Sequence, residues 1–518
     1  MSDTIYIVEI DGRDPDGGLG TLRFATAGYN HPTAPGYYEP RIDRETVFGL
    51  RRDLIAPGRT AGASRTGAGP LILANADGGI DWMLGWAIDG YPLRLLAGTE
   101  ATEYGDLVLL ASATAEELSA DDRRITVRLR DAMALLGAPI ASAVYAGDNI
   151  LPDGLEGTED DLAGRPVPLC FGRVLNAPIP AVNTSRHIYQ LHAAAAGVTA
   201  VYDRGVALAA GDAYASLASL HADAPDPGEY RVWSDAAGSY VRLGSTPAGE
   251  VTADVVEGAT AADRTAAQVA ERILGWTGAI PDGFAPADLA ALDAANDAEV
   301  GIWIDGEGTT VQAALDQVLG SVGAGYWCDP LGTWRMMRID APSGASARTL
   351  RELGGDVSAA GDCDIVAIER AIPPAEDRLP AHRITLRWGR YWATQAADLD
   401  AAIDQARRAA LRQEWRTVTV DDGSVKERHR LSRPRAVETL LVDHDAAAAE
   451  AARLLALHGV ARDLYRVRVP LDATAGLDLG AVITLRHHRF GLSAGRLMTV
   501  LAIDIDAGAG TASLDVWG

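Results

Sequence analysis

Short β-branched and aromatic runs broken by Asp-Gly turns constrain what this chain can fold into. Ile5, Ile7 and Val8 lead into Asp11-Gly12 and Asp16-Gly17-Gly18, and Leu22 and Phe24 follow. Glycine reaches positive φ without a Cβ clash, so the pattern reads as strand, turn, strand. Residues 67–98 repeat it: an apolar run at 70–73, the turn Asn75-Ala76-Asp77-Gly78-Gly79, a run at 82–88, Asp89-Gly90 and a run at 93–96. Further strands are expected over 107–112 and 125–129.

At 518 residues the chain is too long for one ordinary core, which places several modules on it. The turn-rich acidic stretch 147–165, closed by Arg165-Pro166, marks the first boundary. The expected division is a β-rich module at 1–165, a β module at 166–258, an α+β module at 259–364, and a C-terminal α+β module at 365–518 ending in a small barrel or sandwich. Helical period appears where Thr260 and Asp263 resemble a capping box before Val269, Ile273 and Leu274, and again over 309–319, with Gly320 as the stop. Helices are also expected over 396–413 and 445–457, the second capped by Asp443 or Asp445. The fold class is therefore β-rich multidomain α+β, with several small barrel or sandwich modules and a few amphipathic helices.

Charge narrows the functional classes. There are 71 acidic against 46 basic side chains, a formal net charge of -25, and this field repels nucleic acid. Met1-Ser2-Asp3-Thr4 lacks the cations of a signal peptide, and no uncharged apolar run reaches 18 residues, so no membrane span is expected. Cys170, Cys328 and Cys363 lie far apart without a CxxC, which favours reduced structural cysteines. Cys363 sits between Asp362 and Asp364, whose charges disfavour a thiolate.

Reactive constellations are sparse. The P-loop lysine motif and H-E-x-x-H are both missing from the sequence. Gly320, Gly323 and Gly325 mimic a phosphate loop but follow a helix, where a C-cap turn is the simpler reading. His187 and His192 are five apart, and the adjacent His487 and His488 would point to opposite faces of a strand, so neither pair has metal-ligand spacing. Asn75, Asp77 and Asp81 lack the rest of a twelve-residue calcium loop and read as an Asx-Gly turn. Asp81 and Asp89 beside Trp82 and Trp86 would serve a glycosidase only as one arbitrary pair among 71 acids. No catalytic, cofactor-binding or metal-ligating residue is assigned. The 11 Trp and 15 Tyr against 5 Phe favour half-exposed interface positions over sugar platforms. Lys426, the sole lysine, and Arg428, Arg430, Arg433 and Arg435 surround His429 on an expected exposed β-arm or loop, suited to an intersubunit contact rather than to DNA.

Three patches resemble a known family. Leu162-Ala163-Gly164-Arg165-Pro166-Val167-Pro168-Leu169, Phe171-Gly172, Ile188-Tyr189-Gln190-Leu191-His192 and Val201-Tyr202-Asp203-Arg204-Gly205-Val206 resemble a stretch of tail proteins from long-tailed phages and prophages. Ile5-Tyr6-Ile7-Val8-Glu9-Ile10 with Thr21-Leu22-Arg23-Phe24 is similar to their opening strands. Leu477-Asp478-Leu479-Gly480-Ala481-Val482-Ile483-Thr484, Phe490-Gly491, Gly495-Arg496 and Val516-Trp517-Gly518 are similar to the terminal β-module of tail hub and baseplate proteins. The resemblance implies a non-enzymatic virion component at the distal end of the tail, a baseplate hub or upper-baseplate protein. Its implied partners are distal tail or tube proteins and tail fibre or central spike proteins, in a homotrimer through which genomic DNA passes without specific binding. No cofactor is implied. The alternatives are a tail-associated glycan-cleaving enzyme using carboxylates near Trp82, Trp86 or Trp388, and a carbohydrate-binding adhesin.

Overall fold

A computed structural model describes residues 4–42, 50–54, 65–130, 132–150, 154–280, 283–329, 331–352, 364–372, 379–397, 399–506 and 509–518. Cys363 falls outside these. The chain forms two compact units: residues 1–135 with 325–378 and 461–518, and residues 136–324 with 379–460.

The first unit holds two large sheets around one core, besides the two-stranded ladder of Ala324–Cys328 with Trp334–Arg338. Its seven-stranded sheet runs Glu39–Pro40, Leu19–Ala25, Ile5–Arg13, Pro92–Gly98, Val108–Ala120, Arg124–Arg130, Leu71–Ala74. The opening hairpin turns at Asp14, whose Oδ1 accepts the amides of Asp16 and Gly18 at 3.0 and 2.7 Å. Asp11-Gly12 is not a turn but lies inside the strand, opposite Thr21 and Gly20. Gly12 is needed there because a Cβ would meet the Ala87 carbonyl at 2.9 Å. The run 82–88 is also not a strand: Asp81–Gly85 is a 3-10 turn with only Met83 buried. Asn75 closes this loop locally, its Oδ1 accepting the Ile80 amide and its Nδ2 donating to Asp81, so the apolar run never reaches a sheet edge.

The second sheet of this unit runs Arg348–Arg351, Val482–Arg486, Arg496–Asp506, Thr511–Trp517, Leu464–Pro470, Ala367–Ala371. Leu50–Asp53 pairs off this path with Arg496–Asp506, in the register Leu50 to Ile505, and with Arg65–Ala68. Val8, Ile10, Leu95 and Val127 of one sheet share a core with Val467, Ile483, Val500 and Leu514 of the other. Alternation of buried and exposed positions in Arg124–Arg130 and Leu464–Pro470 is what a sheet with one packed face requires.

The second unit contains two five-stranded sheets, one through Gly197–Asp203, Val251–Val256, Leu169–Pro178 and Gly301–Ile304, the other through Ile188–His192, Gly238–Leu243 and Glu229–Asp235. Cys170, Val174, Leu191, Val201, Val241, Val255 and Trp303 form their common core. Helices Ala266–Trp276 and Val311–Gly320 pack together, each started by a threonine hydroxyl, Thr265 or Thr310, that accepts an amide. The expected Thr260 capping box is present and begins a 3-10 turn that precedes the helix. The expected helix at 396–413 shrinks to Gln405–Leu411: Asp404 is its cap, and Asp400 ties 400–402 into a turn upstream. Helix His444–His458, capped by Asp443, covers the three-stranded sheet Arg416–Asp421, Arg383–Trp388, Pro434–Glu438.

A bulge joins the sheets of this unit. Asn176 takes φ 50° within Leu169–Pro178, and the strand register slips between Val174 and Ala177. Its buried amide donates to the Ala393 carbonyl at 2.7 Å and accepts from Thr252 at 2.8 Å, while Ala393 N–H returns to the Asn176 carbonyl at 2.9 Å. One bent strand thereby pairs with its own sheet and with the segment leading out of Arg383–Trp388.

Candidate functional site: the assembly surfaces

Most tryptophans support cores or arginine stacks. Trp303, Trp327 and Trp334 are buried. Trp388 lies beneath Arg416, whose guanidinium sits 5.5 Å from the ring centre, and edge-on to His444 at 5.5 Å. Arg416 also covers Tyr391 at 4.3 Å, Arg407 covers Tyr202 at 4.5 Å, and Arg390 covers Trp392 at 4.0 Å. The Tyr391 hydroxyl accepts from Arg407 at 2.9 Å and from Arg416 at 2.5 Å. The polar aromatics of the sequence thus do much of their work inside the second unit.

Trp82 differs, being about half exposed at 52%. It stands edge-on to Trp86 at 6.2 Å on the 3-10 turn, next to exposed Leu84. Trp86 is partly buried against Gly12 and Gly20 of the opening hairpin, beside exposed Leu19. Exposed Asp16, Asp81 and Asp89 accompany this apolar surface. Asp81 is held by the Asn75 amide at 2.6 Å, and the two tryptophans meet at an angle of 66° rather than forming a flat floor. An open groove of about 560 Å³ along Val108–Ala120 and Arg124–Arg130 has Glu116 and Glu117 on its wall, both facing Arg128, at 3.9 and 3.4 Å, and no aromatic lining. The arrangements favour contact surfaces over a sugar cleft with opposed carboxyls.

The basic cluster is a short helix and an edge strand, not a free arm. Asp422 caps Gly423–Arg428, which carries Lys426 and Arg428. Ser432 then ties the chain down, donating to the Pro380 carbonyl at 2.7 Å and meeting His382 at 2.9 Å, and Arg435 enters the strand Pro434–Glu438, parallel to Arg383–Trp388. Lys426, Arg428, Arg430 and Arg433 are exposed around Leu431, itself 76% exposed, with no carboxylate partner among the described residues. A basic rim with an apolar centre has the composition of a protein contact.

Cys170 is buried, and burial pushes its thiol well up; among the described residues neither Cys170 nor Cys328 is in a disulfide. Gly320 and Gly323 belong to a helix end, Gly323 at φ 68°. His187 occupies a turn at φ 55°, while His192 is buried between Phe171 and Trp276.

His487 and His488 depart from the expectation of opposite faces. The strand Val482–Arg486 has already ended, and the tight turn through Phe490 (φ 61°) and Gly491 (φ 73°) swings both rings to one side, where they stack at 4.6 Å. Glu352 joins them: its Oε2 lies 2.5 Å from His488 Nδ1 and 3.5 Å from His487 Nε2. The hydrogen bond from His488 holds the Glu352 carboxyl below its ordinary range, and burial pulls His487 down. Nothing in the sequence linked Glu352 to histidines 135 and 136 positions later; the Phe490-Gly491 turn was the readable signal that alternation stops.

No protein-family model matches the chain, and no curated protein matches it. Solved structures resemble it at low identity. The tail protein from Neisseria meningitidis MC58 is 12% identical with a TM-score of 0.42, over 99% of this chain and 96% of that one. The 43 kDa tail protein of prophage MuSo2 from Shewanella oneidensis is 11% identical with a TM-score of 0.38, over 99% and 98%. A chain in the virion of a native gene transfer agent particle is 17% identical with a TM-score of 0.41, over 69% and 85%.

Proposed function

We propose that this chain is a structural component of a phage or prophage tail, a baseplate hub or upper-baseplate protein joining the tail tube to the receptor-binding or penetration apparatus. The observation that carries the reading is where the tail-like patches fall. Patches 162–169, 171–172, 188–192 and 201–206 lead into the strands Leu169–Pro178, Ile188–His192 and Gly197–Asp203 around one core of the second unit, through Cys170, Leu191 and Val201. Patches 477–484, 495–496 and 516–518 reach into the adjoining strands Val482–Arg486, Arg496–Asp506 and Thr511–Trp517 of the eight-stranded sheet, and Phe490-Gly491 lies in the turn between the first two. These patches thus gather at strands that share a core, which supports the reading.

Two contact surfaces of opposite sign, the acidic one bearing Trp82 and the basic one bearing Leu431, suit a protein held among neighbours. The partners in this reading are tube or distal tail proteins on one side and fibre or spike proteins on the other. Three copies around the tail axis would carry three times -25 formal charges. Acids on the lumen would repel DNA phosphates and let the genome slide. Electron microscopy of purified tails tests this: the expected result is threefold density for the chain at the distal end, around an acid-lined channel. Its absence from tail particles would overturn the assignment, and an arginine-lined lumen would overturn the channel role.

A further inference from the structure

The geometry points to a binding site for a first-row transition-metal dication of the zinc class, formed by Glu352, His487 and His488. It stands independently of the tail assignment. One donor atom from each residue lies within 4.8 Å of the others. Ligands sharing one such ion at about 2.0–2.2 Å sit roughly 3.3–3.5 Å apart, so the Glu352 to His487 separation of 3.5 Å already fits, and the Glu352 to His488 contact opens slightly on loading. Two imidazoles and one carboxylate select Zn²⁺, Co²⁺, Ni²⁺ or Fe²⁺ over Ca²⁺ and Mg²⁺, which prefer all-oxygen shells.

The surroundings hold the ligands in place. Glu352 pairs across the fold with 365, beside the strand Arg348–Arg351. The histidine turn is fixed by His487 N–H to the Leu492 carbonyl at 3.2 Å and by His488 N–H to Glu352 at 3.3 Å. Phe490 stacks on His487 at 5.7 Å, walling one side, while the His488 side chain is 66% exposed, leaving the remaining coordination positions to water or to a neighbour's side chain. Both rings bind as neutral tautomers. His487 Nδ1 now accepts the Arg489 amide at 3.0 Å, so metal at Nε2 moves the ring proton to Nδ1 and gives up that one bond. No oxidation or reduction is involved.

The test uses the untagged full chain, stripped with a chelator and titrated with Co²⁺ by visible absorption and Zn²⁺ by calorimetry. One equivalent should bind, and Glu352→Gln and His488→Gln should each weaken binding tenfold or more, while His31→Gln leaves it unchanged. Zn²⁺ should also speed amide exchange at Arg489, a response that a surface hydrogen bond alone would not produce. Circular dichroism of both variants identifies any misfolding, and Glu352→Gln keeps the side-chain shape. The absence of saturable Co²⁺ binding at millimolar concentration, or binding that both variants leave intact, would overturn the proposal.

Discussion

Acidifying the protein from pH 7.5 to 4.5 should loosen the second unit through one histidine. His192 is 1% exposed, accepts the Cys170 amide on Nδ1 at 3.0 Å, and lies 5.9 Å from Phe171 and 5.4 Å from Trp276. Burial, helped by Arg272 and opposed by a bond to the Pro168 carbonyl, lowers its pKa from 6.5 to about 4. The unfolded chain therefore takes up a proton below pH 6.5 that the folded chain refuses until about pH 4. The stabilisation is complete above pH 6.5 and is lost as the pH falls from 6.5 towards 4. That displacement corresponds to roughly 3 kcal/mol, and about 2.5 kcal/mol of it is spent by pH 4.5. Carboxylates elsewhere also weaken in acid, so the measurement is a difference between wild type and His192→Gln, whose side-chain carbonyl can still accept the Cys170 amide. Urea unfolding at both pH values should show the wild type losing about 2 kcal/mol more than the variant. Amide exchange along Leu169–Pro178 should accelerate in acid in the wild type alone, because a protonated Nδ1 can no longer accept from Cys170. Equal acid losses in the two proteins would refute the assignment of this pH dependence to His192.

Two further perturbations test the packing. Gly172 and Gly301 face each other across Leu169–Pro178 and Gly301–Ile304, and a Cβ on Gly301 would drive into the Arg173 carbonyl. Gly301→Ala should cost about 3 kcal/mol, read as a lowered thermal midpoint and soluble yield. Tyr391→Phe removes the hydroxyl shared by Arg407 and Arg416 and should cost about 1–3 kcal/mol in urea unfolding, with the residual stacking kept.

Local signals carried the fold a long way. The turn at Asp16-Gly17-Gly18, the Thr260 capping box and the Asp443 cap are where the residue pattern places them, while the two helices themselves are capped at Thr265 and Thr310. Two failures share a cause: a side chain bonded to its own loop and overrode the pattern. Asn75 did so before Trp82 and Asp400 before Gln405, whereas Ser432 ties the basic segment to the remote Pro380 carbonyl. Helix Pro286–Ala295 carries a weak sequence signal: proline at its first position marks it, but its apolar residues form only a faint stripe with Leu292 alone buried. The Glu352 cluster and the acceptor role of Tyr391 depend on pairings between remote segments, and spacing along a chain carries no trace of those.

The pairing of Leu50–Asp53 with Arg496–Asp506 gives synthesis a clock. A ribosome adding about 5–20 residues per second needs roughly 20 to 90 s to travel from Leu50 to Ile505, and throughout that time the early strand has only Arg65–Ala68 to pair with. The first unit closes only after the second has been fully translated between its segments. A chain interrupted anywhere before residue 496 presents an unpaired sheet edge in place of a finished surface, a mark that chaperones and proteases act on. Completion of the sheet thus checks the length of each molecule before it can be built into anything larger.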